Sequence, residues 1–394
     1  MSIPKVRLHP HSYKYIGKGH PWVTKDQFSK NFPRESDLLL SEIPKQNQSI
    51  ILIHDPKHRD VIARVWSIEN QREKNNFNRA AFLQQLQDRL DQAIAKRQKL
   101  DLKSRDNYYL VFGEADELPG LHALKFGPVI LVQYYCFFWH QYSDLICNYF
   151  KNHFPESKEI FVQTRGEKKA PKKTQGSRFA EIQIQEFGCH YQLKFNKNYD
   201  IGLYTDMANI RQKILKRIPV NSQGLNLFSY TGAYTIAPIV VKNCHVTSVD
   251  LSSDYMQWLE ENILLNKIEN GRFQNHVGDC QHFIRNCTDK SFDWILCDPP
   301  TASSNKKSKT NSMQFYRENL SDLLHLLVPG GELYLFLNTH STSRRQLKNF
   351  ITPFLQTQHP DVKIVEEYTL GEDCPRKKGF PEGDYLKGLT LKKK

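Results

Sequence analysis

NLFSYTGAYT (226–235), SVDLSSDYMQWLEENILLNK (248–267), GDCQHF (278–283), FDWILCDPPT (292–301) and LVPGGELYLF (327–336) decide the fold. Each carries or follows a short apolar run of strand length. Helical patterns lie between them, notably SDYMQWLEENILLNK and QFYRENLSDLLHLL. Strands alternating with helices from about residue 198 onward argue for a parallel, doubly wound sheet. VKIVEEYTL and DYLKGLTLKKK then supply two more strands without a helix between them, so the last strand is expected to run antiparallel.

Upstream the pattern changes. In residues 1–72, VRLHP, SIILIHD and VIARVWSI show β-branched alternation broken by turn-forming stretches, which predicts a small β-barrel-like module. Residues 77–100 place Phe82, Leu86, Leu90, Ala93 and Ile94 at three-to-four-residue spacing, an amphipathic helix. Strand-like runs follow at 108–113 and 129–139, then a helix to about 153 and an exposed basic loop at 165–178. EIQIQEFGCHYQLKF (181–195) alternates as a hairpin does. The expected division is 1–72, a central α+β domain at 73–190, and 191–394.

Bulk composition narrows the function classes. No apolar run approaches the ~20 residues of a membrane span, and the N-terminus has no apolar core of a secretory signal. The eight cysteines are scattered without a CxxC pair, so neither a disulfide framework nor a zinc site is expected, and a reducing cytoplasm is. A net charge of +13, from 55 Lys and Arg against 42 Asp and Glu, attracts phosphate polyanions. Much of it sits in short runs at 166–173, 305–309, 374–379 and the final KKK.

In such sheets ligands bind beyond the strand carboxyl ends, where strand order reverses. Four strand ends carry fitting chemistry. Ser229, Thr231 and Gly232 let the backbone approach a ligand closely. Asp250, about twenty residues further, suits the hydroxyls of a ribose. Asp279 suits an exocyclic amine, and the prolines of CDPPT (297–301) fix the chain after a strand. A strand-ending aspartate alone serves equally as a helix cap; the four together, in this order, point to one nucleoside pocket.

With these motifs the sequence resembles a class I S-adenosylmethionine-dependent methyltransferase. FSYTG in place of a glycine-rich loop resembles the large-subunit ribosomal RNA methyltransferase I family and the K domain of the fused K/L enzyme. GHPWV (19–23) and IARVWS (62–67) are similar to that family's PUA-type RNA-binding module. GEADELPGL (113–121), YDIGLYTDMANIR (199–211) and FPEGDYLKG (380–388) match further family signatures. The resemblance implies an α/β protein: a Rossmann-like methyltransferase domain, an N-terminal PUA-like β-barrel and a central α+β domain. It implies S-adenosylmethionine as donor and large-subunit ribosomal RNA as partner, with no metal and no membrane, in a monomer or homodimer. It also implies that Phe228, Ser229, Tyr230, Thr231 and Gly232 wrap the methionine end, with Asp206 and Arg211 nearby. Asp250 would bind the ribose and Asp279 the adenine, with Leu251, Cys280 and Asp298 also at the cofactor. Asp298, Pro299, Pro300 and Asn338 would face the target base.

Methylating carbon 5 of cytosine needs a cysteine thiolate to add to the ring first. The strand where this family places it reads GGELYLFLNTH, with Asn338 near the position, and Thr301 follows DPP. Nitrogen 7 of guanine has an exposed lone pair and needs only positioning, so guanine is the expected base. Cys297, alternating away from Asp298, is expected in the core. Cys374, in a basic loop, is the remaining nucleophile candidate. Tyr204, Tyr230 and Phe315 are candidates to hold an unstacked base. Competing readings are an RNA-binding assembly factor that lost catalysis, and a methyltransferase for transfer RNA or a small metabolite.

Overall fold

Alternation along SIILIHD assigns its residues to two different cores. The computed structural model describes residues 3–165, 172–173, 179–195, 200–287, 291–301 and 312–394. Two compact units result, one of Met1–Ala180, Phe195–Asp200 and Glu372–Gly383, the other of Glu181–Lys194, Ile201–Gly371 and Asp384–Lys394.

The first unit opens with α1 (Pro10–Ile16), β1 (Trp22–Thr24), β2 (Leu38–Glu42), β3 (Gln48–His54) and β4 (Val61–Asn70). The strands form an antiparallel sheet in the order β1-β4-β3-β2. On β3, Ile50 and Leu52 join Leu8, Val23 and Ile62 on one face. Ile51 and Ile53 face the other way, into the core of the following helix and sheet. VRLHP, expected as a strand, forms none: the isolated bridge to Leu40 is made by Lys5 just before it, and Pro10 starts a helix. Proline lacks an N–H, which costs nothing in a first helical turn.

After α2 (Gln71–Asn76), α3 (Arg79–Gln98) buries the expected stripe of Phe82, Leu86, Leu90, Ala93 and Ile94, with Asn78 capping its N-terminus. A five-stranded sheet covers that stripe: β5 (Asn107–Phe112), β6 (Leu121–Phe126), β7 (Val129–Tyr134), β8 (Glu159–Thr164) and β9 (Lys172–Lys173), in that order. Only β7 and β8 pair in parallel, and α4 (Ser143–His153) lies between them. The run expected as a strand to 139 ends at Tyr134 and turns into a 3-10 helix, Phe137–Tyr142. Within the expected loop at 165–178, Lys172 and Lys173 instead pair with Val162 and Phe161. The rest of that loop and the basic run at 305–309 lie outside the described residues.

The second unit begins with the expected hairpin, β10 (Glu181–Glu186) and β11 (Cys189–Lys194). Phe187 and Gly188 both have positive φ, at 51° and 83°, as a two-residue turn between twisted strands requires. Then come α5 (Ala208–Arg217), β12 (Gln223–Leu227), α6 (Ala233–Lys242), β13 (His245–Asp250), α7 (Ser253–Leu265) and β14 (Phe273–Val277). The chain continues through α8 (Cys280–Asn286), β15 (Phe292–Cys297), α9 (Ser312–His325), β16 (Leu327–Asn338), α10 (Arg344–Gln358), β17 (Val362–Tyr368) and β18 (Leu386–Lys393). The sheet order is β14-β13-β12-β15-β16-β18-β17. Only β18 is antiparallel to its neighbours, the outcome expected from two strands without an intervening helix. Strand order reverses between β12 and β15, so the crevice opens beyond the carboxyl end of β12. Among the described residues no helix is long and apolar enough to cross a membrane.

In the centre of this sheet Gly224 pairs with Trp294, whose indole lies across the glycine and donates to Ser222 Oγ at 3.1 Å. A Cβ at 224 would fall inside that ring. Gly224→Ala is expected to destabilise the protein by about 1–3 kcal/mol, the usual cost of overpacking, measured by urea unfolding. Unchanged stability would show that Trp294 is not seated as described.

Candidate active site

Phe228 and Tyr230 sit in the left-handed region, at φ 57° and 51°, which costs non-glycine residues about 1–3 kcal/mol each. Three neighbouring contacts hold them there. The Phe228 amide donates to Cys280 Sγ at 3.3 Å, the Ser229 amide to the Val249 carbonyl at 3.1 Å, and the Tyr230 amide to Asp250 Oδ2 at 2.9 Å. The loop after β12 is thereby tied to the ends of β13 and α8. Its amides point at protein acceptors, so they form no nest for a phosphate. Behind the loop, Thr231 is fully buried and its hydroxyl donates to the Gly202 carbonyl. Gly232 (φ 87°) packs on Leu259 so closely that a side chain would collide. These two residues support the loop without lining the cavity.

The cavity at these strand ends is about 660 Å³, the size of a small-molecule site. Phe228, Ser229 and Tyr230 line it from β12, Asp250 and Leu251 from β13, and Asp279 and Cys280 from β14 and α8. Asp298, Pro299, Pro300 and Thr301 follow β15, and Asn338 ends β16. Asp206 and Arg211 complete the wall. Five sequence-distant strand ends therefore share one cavity.

Individual side chains refine the expected roles. Asp250 accepts from Tyr230 and, through Oδ1, from the Ser252 amide at 2.9 Å, so its carboxylate is fixed in direction. Leu251 is 58% exposed at the rim. Asp279 is exposed and caps α8 by accepting from the His282 amide at 2.9 Å. The capping role and the wall position coexist. Cys280 is buried, and burial pushes its thiol far above the ordinary range, so it serves as a packing group.

Arg211 is almost fully buried, and its guanidinium is committed elsewhere. Nε and Nη2 donate to the two Glu186 carboxylate oxygens at 2.6 and 2.8 Å, and Nη1 to the Tyr204 carbonyl at 3.0 Å. It shapes the wall by holding Tyr204. Tyr204 is 47% exposed and tilts over Tyr230, with ring centroids 5.1 Å apart. Phe315, by contrast, is buried against Phe228 in the core and presents no face to a base. Cys297 lies in that core too, as expected. Cys374 is buried in the first unit and does not line the cavity.

At the cavity floor, burial and the neighbouring Asp206 carboxylate raise Asp298 from 3.8 to about 7. Asp206 itself accepts from the Tyr385 hydroxyl at 2.6 Å. The Thr301 hydroxyl donates to the Asn338 carbonyl, joining the DPPT segment to the end of β16. Tyr234 also lines the cavity, and its buried hydroxyl has no partner among the described residues. An unsatisfied buried phenol is costly, so a polar ligand atom is expected beside it. Glu186, Tyr234 and Tyr385 escaped the sequence reading; only the position of Tyr234, two residues after Gly232 in the first helical turn, hinted at it. Among the described residues no cluster of three or more His, Cys, Asp or Glu side chains is placed to hold a metal.

The family model described as S-adenosylmethionine-dependent methyltransferase matches residues 157–378, more than half of the chain. Ribosomal RNA large subunit methyltransferase I of Klebsiella pneumoniae (strain 342) is 25% identical over 405 residues, covering 99% of this chain and 98% of that protein. Ribosomal RNA large subunit methyltransferase K/L of Shewanella amazonensis is 30% identical over 213 residues, 52% of this chain and 29% of that protein. A solved structure described as a putative S-adenosylmethionine-dependent methyltransferase from Streptococcus mutans superposes with a TM-score of 0.82 at 19% identity, covering 99% of this chain and 100% of that one.

The raised Asp298 carboxyl has a stability consequence. Its folded form holds a proton more tightly than the unfolded chain does. Stability therefore falls as pH rises from about 4 to about 7, and the penalty is complete above 7. Asp298→Asn is expected to raise Tm by several degrees at pH 8 and to leave it nearly unchanged at pH 4 in thermal melts. An equal effect at both pH values would contradict the burial of this carboxyl.

Proposed function

The chain belongs to the S-adenosylmethionine-dependent methyltransferase family, and on that premise we propose that it methylates a base of large-subunit ribosomal RNA, at nitrogen 7 of guanine. The observation that carries the reading is the single cavity shared by Tyr230, Asp250, Asp279, Asp298 and Asn338. Its residues fit the donor. Asp250, fixed by two backbone amides, would take the ribose hydroxyls, with Leu251 and Asp279 beside the adenine. Asp206 and the unpartnered Tyr234 hydroxyl would meet the methionine end, with Phe228, Ser229 and Tyr230 around it and Arg211 shaping the wall. Bound there, S-adenosylmethionine supplies an electrophilic sulfonium methyl.

The choice of acceptor rests on the thiols. Among the described residues Cys280 is the cysteine lining the cavity, and it is buried, with Sγ accepting from the Phe228 amide. No placed thiolate supports addition to a cytosine ring. Nitrogen 7 of guanine needs orientation alone. Asp298, with Pro299 and Pro300 holding its backbone and Asn338 opposite, would accept from the base edge. As a carboxylate it would also stabilise the positive charge that a 7-methylguanine product carries. Ribosomal RNA is supported by the Klebsiella and Shewanella relatives, each named as a large-subunit ribosomal RNA methyltransferase. The +13 charge suits such a partner. We assign residues 1–72 to a PUA-like RNA-binding module, 73–190 to a central domain and 191–394 to the methyltransferase domain. Action in a reducing cytoplasm is supported by eight scattered cysteines without a CxxC pair.

A second reading, an RNA-binding assembly factor without catalysis, draws on the same missing thiol. The unpartnered Tyr234 hydroxyl and the fixed Asp250 favour a working donor site instead.

Asp250→Ala is expected to weaken S-adenosylmethionine binding at least tenfold by calorimetry. Wild-type protein is expected to place a labelled methyl on protein-free large-subunit RNA, mapped by mass spectrometry to 7-methylguanine. Cys374→Ser should transfer methyl as well as wild type does. A 5-methylcytosine product would sink the guanine assignment, and RNA bound but left unmodified would favour the assembly factor.

A further inference from the structure

In the first unit the segment Tyr134–Phe138 alternates between inside and outside. Tyr134, Cys136 and Phe138 are buried, while Tyr135 and Phe137 are each 39% exposed. Scattered exposed aromatics need no explanation, but two on one side of a two-residue step do. Both carry a cation. Lys57 Nζ lies 3.5 Å from the centroid of Phe137, and the Arg165 guanidinium 5.7 Å from that of Tyr135. Lys57 belongs to the turn Pro56–Asp60 between β3 and β4, where the Arg59 side chain is 93% exposed.

The backbone beneath these rings is held by buried charge. Asp55 Oδ1 accepts from the Phe137 amide at 3.3 Å, and Arg64 Nη2 donates to the Tyr135 carbonyl at 3.2 Å. Arg64 Nη1 and Trp22 Nε1 both donate to Glu114 Oε1, each at 2.7 Å. Asp55 and Arg64 are nearly inaccessible to solvent, and burying such charges is expensive unless they secure something specific. Gly120 completes the clamp: it accepts from the Tyr135 amide at 2.8 Å and leaves no room for a side chain against Cys136. What this network fixes is the direction of two exposed rings.

We propose that Tyr135 and Phe137, with Lys57 and Arg165, form a stacking platform for a single-stranded segment of RNA. The proposal rests on the reading of RNA as substrate. Rigid aromatic faces accept any base, and neighbouring cations track the phosphates. A base arriving on Phe137 moves the Lys57 ammonium from the ring to the adjoining phosphate. That exchange is favourable, because stacking on a base outweighs a cation–π contact at an exposed site. An apolar protein partner would be met poorly by a rim that carries Lys57, Arg59 and Arg165.

The test uses the full chain and a fluorescein-labelled 12-nucleotide oligouridine, read by anisotropy. Tyr135→Ala and Phe137→Ala are each expected to weaken binding by about 5- to 100-fold. Tyr135→Phe and Phe137→Tyr should keep it, and Lys57→Gln should reduce the salt dependence by nearly one counterion. Unchanged calorimetric binding of S-adenosylmethionine by the alanine variants controls for folding. Oligouridine affinity unaltered in the folded double variant would overturn the platform, even with methyl transfer to ribosomal RNA intact. Loss of affinity in that variant would sustain it, even if wild-type protein leaves ribosomal RNA unmodified and the substrate reading fails.

Discussion

The hydrogen bond from the Tyr230 amide to Asp250 ties the two halves of the site together. Asp250 ends one strand, and Tyr230 is a non-glycine residue held at positive φ after its neighbour. Without an acceptor at that point the loop would relax toward ordinary backbone, and the Phe228 and Ser229 amides would leave Cys280 and Val249. The interaction does double duty. It stabilises a strained turn, and it fixes a carboxylate whose remaining lone pairs face the cavity. A glycine-rich loop reaches the same sharp turn cheaply and leaves its amides outward for phosphate. Here the amides turn inward, which suits a ligand without phosphate.

Much of this was legible from residue order alone, where one period dominated. The α3 stripe, the 181–195 hairpin and the β–α alternation after 198 each depend on neighbours within one element. The four strand ends were readable because a parallel sheet places every carboxyl end on one side. β6 and β8 escaped because His122, Lys125, Glu159 and Gln163 interrupt their apolar residues, whereas β7 opens on the four-residue apolar run 129–132. VRLHP misled because its alternation continues into a proline that prefers a helix start. Phe315 looked available for a base only because sequence spacing does not reveal which aromatic the core has consumed.

The residues that finish the site lay beyond such reading for another reason. Glu186 holds Arg211 across 25 residues, and Tyr385 reaches Asp206 across 179. No local pattern encodes such a pairing; the hairpin register and the antiparallel last strand do. Arg211 does line the cavity, and there its side chain has a structural meaning that the sequence did not suggest. A guanidinium bound on three sides by Glu186 and Tyr204 contributes shape rather than available charge.

The electrostatics divide along the same line. The chain carries +13 overall, yet the cavity wall gathers Asp206, Asp250, Asp279 and Asp298. Among the described residues the one guanidinium in that wall, Arg211, is neutralised by Glu186. The chain as a whole therefore attracts a polyanion, while this pocket repels phosphate and favours a ligand bearing positive charge. A sulfonium with its ammonium group meets that requirement, and a dinucleotide does not. For a nucleic acid the two fields are compatible only if the backbone stays outside and a neutral base enters. Burial and the neighbouring Asp206 carboxylate raise Asp298 to about 7, which lessens the repulsion among these carboxylates.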